Sequence, residues 1–164
     1  MIQHDRSGEH PRGDLGQLVL LVLFLALWAL DSFVFGFSTA LAGAVPLFVR
    51  LPLAAVLVVV AGTLAQKAHV VFHIPAGGPR LMTGGVFRFV RHPMYLGALL
   101  SYVAFVLATL SLLSLAFLAV VFLFYNFIAS FEERSLAARC GREYLDYKAS
   151  VPKWLPRLRP RPRS

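Results

Sequence analysis

Charge and cysteine are scarce in this chain. Only 15% of its residues are charged, and acidic side chains are half as common as basic ones, 8 against 16. A water-soluble domain of 164 residues needs far more polar surface, so the composition excludes one. Cys140 is the single cysteine; this excludes an intrachain disulfide and any metal site built from several thiolates. No Gly-x-Gly-x-x-Gly follows a strand pattern and no phosphate-binding loop is present, so the soluble nucleotide-binding motifs are absent too. From Ala98 to Phe131 there is not one Asp, Glu, Lys or Arg.

In place of charge the chain has apolar mass. It is 58% hydrophobic with a mean hydropathy of +0.70, which reads as a one-domain, all-α integral membrane protein. A net charge of +8 raises nucleic acid as a partner. The basic residues lie beside apolar spans, however, so anionic lipid is the expected partner and nucleic acid is not.

Residues 1–14 are polar and read as a flexible tail, residues 15–156 as the membrane domain, and the basic 157–164 segment as disordered or lipid-bound. A first span is expected from Leu15 to Phe37, with Asp31 near the far interface or facing another helix. Small residues after it resemble a signal-peptide cleavage site, but the apolar run is too long for that and a retained span is expected. Pro46, Arg50 and Pro52 mark a connection. A second span is expected from Leu51 to Ala65, extending towards Phe72, and a glycine-rich loop follows from Ile74 to Gly85.

Met94 to Phe131 is nearly twice the length of one crossing, which takes about 20 residues. Two helices joined near Thr109–Ser114, the only hydroxyl cluster in the run, are therefore predicted. Such a hairpin returns the chain to the side it left. It puts Arg91-His92 at its start and Glu132-Glu133 at its end on one face of the membrane. The count is then four transmembrane helices. All lysines and arginines except Arg50 fall on one side, which the positive-inside rule assigns to the cytoplasm together with the 66–93 loop and the C-terminus. Glu132 to about Ala149 reads as a helix leaving the membrane, interrupted at Gly141 and followed by the breakers Pro152 and Pro156.

Polar groups at membrane margins are costly and are functional candidates. Arg91 can clamp a carboxylate, Gly84 and Gly85 let a ligand approach the backbone, and Glu132 or Glu133 can accept from an ammonium or a sugar hydroxyl. The plainer readings are headgroup anchoring by Arg91 and His92, a solvated helix end at Glu132-Glu133, and packing roles for Tyr144 and Tyr147. Trp154 is expected to anchor the tail at the headgroup layer. His69 and His73 stand four residues apart but lack a third ligand, so no metal is expected.

Leu81-Met-Thr-Gly-Gly-Val-Phe-Arg-Phe-Val-Arg-His-Pro-Met-Tyr-Leu-Gly97, Glu132-Glu-Arg-Ser-Leu136, Gly141-Arg-Glu-Tyr-Leu-Asp-Tyr147, Val151-Pro152 and Pro156 occur in that order. Together they resemble the isoprenylcysteine carboxyl methyltransferase family, related to the phospholipid N-methyltransferases. The resemblance implies an S-adenosylmethionine-dependent membrane methyltransferase whose acceptor is lipophilic and arrives from the bilayer. It implies cofactor contacts at Gly85, His92, Tyr95, Leu96, Gly97 and Glu133, with Val151 and Pro152 enclosing the adenine. Glu133, Glu132 and Arg91 are the catalytic candidates. Val86-Phe87 stand where that family often has Pro-Tyr, and Cys140 where it often has Phe. A carboxylate or thiolate acceptor needs no base, whereas an amine makes Glu132, Glu133 or His92 a candidate base. The rivals are a phospholipid N-methyltransferase and a non-catalytic membrane scaffold.

Overall fold

A computed structural model describes residues 13–72 and 81–156. Most of the expected flexible tail, the 157–164 tail, His73 and the first part of the glycine-rich loop lie outside the described residues. Among those described, every regular element is helical. Helix α1 spans Gly13–Ala29 and runs on as a π-helical turn, Leu30–Phe35. Helix α2 spans Leu47–Phe72, α3 Pro93–Thr109, α4 Leu112–Cys140 and α5 Arg142–Ser150. Short 3-10 turns occupy Ala40–Gly43 and Gly85–Arg88.

Among the described residues, three helices are long and apolar enough to cross a membrane: Gly13–Phe35, Leu47–His69 and Leu112–Cys140. Their surfaces fit lipid, since Phe48, Val59 and Leu123 on α2 and α4 are more than half exposed. α3 is apolar but has only 17 residues.

α2 begins earlier than its prolines suggested. Arg50 and Pro52 lie inside the helix rather than in the connection before it. Pro52 sits near the helix start, where its missing N–H releases only the Phe48 carbonyl. Arg50 is buried and its guanidinium donates to the Ala108 carbonyl at the end of α3, 3.0 Å away.

The hairpin turn falls within the predicted window. Leu110 adopts a left-handed conformation (φ 54°), and Ser111 caps α4 by accepting from the Ser114 N–H at 3.0 Å. Left-handed geometry costs about 1–2 kcal/mol for an L-residue, so neighbouring contacts must enforce it. Asp31 supplies them. The π-helical turn delivers this buried carboxylate to the turn, where it accepts from the Ser38 N–H at 2.9 Å and from the hydroxyls of Ser38 and Ser111. Ser38 in turn accepts from the Leu113 N–H at 2.9 Å through Oγ.

α4 packs against α1 and α3, and α2 against α3. Phe24 is fully buried against Tyr102, Phe105 and Phe117. The Trp28 indole N–H reaches Phe105 O and Thr109 Oγ1, both at 3.0 Å. The α2–α3 contact uses small residues: Ala54, Ala61 and Ala68 are buried at seven-residue spacing on α2, as are Gly97 and Ala104 on α3. Helices in lipid gain little from apolar burial, so close backbone approach of this kind drives their association.

Asp31→Asn is expected to destabilise the fold by about 1–3 kcal/mol, because an amide turns N–H groups towards donors. The measurement is thermal unfolding in detergent. Binding at the Glu132-Glu133 end should not change, since roughly 30 Å of α4 lies between the two ends.

Candidate active site

The connection from Leu81 to His92 is pinned by Phe87 and Val90, both buried, before α3 starts. Pro93 stands at the first helical position, where a missing N–H costs nothing. This start aims Arg91 and His92 across the bundle at α4, and Tyr95 follows one turn later. On α4, Asn126, Ser130 and Glu133 recur at intervals of four and three and so share a face.

Glu133 is the hub. Its side chain is 6% exposed. Oε1 accepts from Arg91 Nε and from His92 Nε2, both at 3.0 Å, and pairs with Arg91 Nη2 at 3.0 Å. Oε2 lies 3.0 Å from Lys148 Nζ on α5. A carboxylate can only accept, so the His92 proton towards Glu133 belongs on Nε2. His92 Nδ1 then faces Glu132 Oε2 at 3.7 Å, and Glu132 Oε1 accepts from the Tyr95 hydroxyl.

Arg91 also holds the segment after α5. Its Nη1 donates to the carbonyls of Lys148 and Val151, at 2.9 and 2.6 Å, and its backbone N–H donates to Pro152 O at 2.9 Å. One guanidinium thus joins the α3 start, α4 and the Lys148–Val151 backbone, using the fork geometry that arginine supplies.

The segment beyond is folded back into the helices. Lys153 Nζ donates to Asn126 O, Asn126 Oδ1 and Ser130 Oγ at 3.1, 2.8 and 2.8 Å. Burial pushes this ammonium below its ordinary pKa. Trp154, expected at the headgroup layer, packs against the site: its indole N–H donates to Asn126 Oδ1 at 3.2 Å and its ring lies 5.9 Å from His92. His92 and Tyr95 stack nearly parallel, 5.7 Å apart at 9°. The three rings give the polar cluster an aromatic wall.

Tyr144 and Tyr147 pack, as the plainer reading held. Tyr144 is 1% exposed, and the Tyr147 hydroxyl donates to Phe87 O at 2.8 Å. Burial raises both phenols above their ordinary pKa, so they stay neutral; the Glu133 charge adds to the effect at Tyr144.

Of the residues singled out in the sequence, Arg91, His92, Tyr95, Glu132, Glu133, Val151 and Pro152 come together. Leu96 is half-buried one turn into α3, its N–H bonded to His92 O at 2.9 Å. Gly85, with φ 56°, lines a separate open cleft of about 600 Å³ with Gln66, Lys67, Val86, Arg88 and Phe89. Gly97 faces α2, where a Cβ would meet Ala61 O at 2.9 Å. Asn126, Ser130, Lys148 and Lys153 join the site without having been foreseen. For the first two, the spacing to Glu133 along α4 was the available signal.

Two glutamates, a histidine and a tyrosine thus meet at one end of a nearly charge-free helical hairpin. Residues 39–142 match the model of the phospholipid methyltransferase family, and the chain belongs to that family. The likeness to isoprenylcysteine carboxyl methyltransferases falls in the same family group. Methanethiol S-methyltransferase 1 of Bradyrhizobium diazoefficiens is 35% identical over 78 residues, covering 48% of this chain and 27% of that protein. The chain thus matches about a quarter of its relative's length. No solved structure matches it.

Proposed function

We propose that the chain is an S-adenosylmethionine-dependent methyltransferase of the membrane, acting on a lipophilic acceptor. The observation that carries this reading is the convergence of His92, Tyr95, Glu132 and Glu133 at one end of the α3–α4 hairpin. The donor set fits the cofactor. Two carboxylates suit an ammonium and ribose hydroxyls, and the His92, Tyr95 and Trp154 rings suit a flat base. Val151 and Pro152 close the site behind Arg91.

When bound, S-adenosylmethionine supplies an electrophilic methyl group on a sulfonium. The protein's task is then alignment and exclusion of water more than proton transfer. Arg91 holds the Val151-Pro152 backbone over the site, and His92 keeps Glu133 oriented. Glu133, engaged by Arg91, His92 and Lys148, is a poor proton acceptor. For an amine acceptor, Glu132 or the unprotonated Nδ1 of His92 is therefore the base. A carboxylate or thiolate acceptor needs none.

In this reading α3 is a fourth crossing. Its 17 residues give about 26 Å at 1.5 Å per residue, and snorkelling flanking residues or local bilayer thinning make up the difference. The basic side, with the Glu132-Glu133 site, faces the cytoplasm, and the basic C-terminal tail meets anionic lipid. The acceptor we favour is a lipidated carboxylate, as in isoprenylcysteine carboxyl methyltransferases. The family match makes a phospholipid amine the second reading.

Methyl-labelled cofactor added to membranes carrying the chain separates these. Base-labile label in a lipid-soluble product supports the ester, and base-stable label in extracted phospholipid supports the amine. Calorimetry with S-adenosylhomocysteine on detergent-purified protein tests the cofactor itself. Folded protein that fails to bind it overturns the proposal.

A further inference from the structure

The four contacts on Glu133 are not equivalent. Arg91 and His92 are 10% and 7% exposed in their side chains and share Oε1. Lys148 is 45% exposed and takes Oε2. Arg91 is further tied to two carbonyls, and His92 lies between Tyr95 and Trp154. Lys148 differs again: it is held at its backbone, whose carbonyl accepts from Arg91 Nη1. Its four-carbon side chain can swing into solvent without disturbing that bond. Oε2 is thus the one glutamate oxygen in the hub whose partner can leave at little cost, and that partner is a primary ammonium.

We infer that Lys148 is a built-in substitute for the cofactor's ammonium, occupying Glu133 Oε2 in the empty site and displaced when the cofactor binds. The inference rests on the reading of Glu133 as a cofactor contact. It follows from like-for-like chemistry: an α-ammonium and a lysine ammonium make the same bond to a carboxylate oxygen, and two such cations repel each other and exclude one another from the single position that Lys148 Nζ takes at Oε2. Before binding, Lys148 offsets the charge on Glu133 and keeps the carboxylate in place. It is a positioning residue that competes with the ligand.

The consequence is the reverse of the usual one, since removing a site residue should improve binding. For Lys148→Ala and Lys148→Gln, we expect S-adenosylhomocysteine to bind about three-fold tighter by calorimetry, the scale set by one partly exposed ion pair. Lys148→Arg should stay near wild type. The gap between Ala and wild type should narrow as salt rises from low to high ionic strength, because screening weakens the same pair. A role confined to structure would not produce tighter binding. The Arg variant and near-unchanged thermal unfolding of all three show that folding is intact. Weaker binding by the Ala and Gln variants would make Lys148 a ligand contact and overturn the proposal, and equal binding would overturn it too. Folded wild-type protein that binds nothing would instead overturn the cofactor reading on which it rests.

Discussion

Glu133→Gln is expected to abolish measurable S-adenosylhomocysteine binding and to lower thermal stability in detergent at the same time. The substitution keeps shape and removes charge. Glutamine's single carbonyl oxygen cannot serve Arg91, His92 and Lys148 together, and its amide turns N–H groups towards one of these donors. Arg91 and His92 are then left without an anion in a site that excludes most water. Removing one partner of a buried pair costs roughly 3–5 kcal/mol, because the remaining charge is stranded. Lys148 adds less to that cost, being half in solvent. His92→Ala should separate the two effects: it takes one donor from Glu133 and an aromatic face from the pocket, but leaves the Arg91–Glu133 pair. We expect weakened binding with a much smaller fall in stability. Wild-type affinity in Glu133→Gln would show that the cofactor sits elsewhere.

The hairpin that brings Glu133 to Arg91 was legible because it follows from lengths and charge. An apolar run too long for one crossing must fold back, and its polar ends then meet. The hydroxyl cluster marked the turn because Ser111 is a helix cap, and the left-handed break at Gly141 between α4 and α5 carried its own sign in glycine. The rest was hidden for physical reasons. Arg91 binds the carbonyls of Lys148 and Val151, and backbone acceptors leave no trace in side-chain identity. Asp31 works with Ser111, 80 residues away, so its polar environment was not visible in its local span. Pro52 reads as a breaker, yet near the start of α2 it breaks little. Lys148 looks like any lysine on an exposed helix until Glu133 is placed beneath it.

Gly97 is the position where the resemblance and the packing make different predictions. The resemblance puts it beside the cofactor. In the fold its vacant side-chain position faces α2, where a Cβ would lie 2.9 Å from Ala61 O and 3.7 Å from Ala65 N. Gly97→Ala must therefore push α2 and α3 apart, at a cost of about 1–3 kcal/mol for overpacking. Gly97→Val should cost more, and so much of the small-residue seam depends on close approach that it is expected to yield little monodisperse protein. The check is thermal unfolding in detergent across the series, with S-adenosylhomocysteine affinity measured on the folded Ala variant. Lower stability with near-normal affinity fits a packing role, whereas normal stability with lost affinity would place Gly97 at the ligand. The obstacle is a main-chain carbonyl, so shortening the facing side chain by Ala61→Gly should not rescue Gly97→Ala. Rescue would mean that side-chain crowding, rather than backbone approach, sets the distance between the two helices.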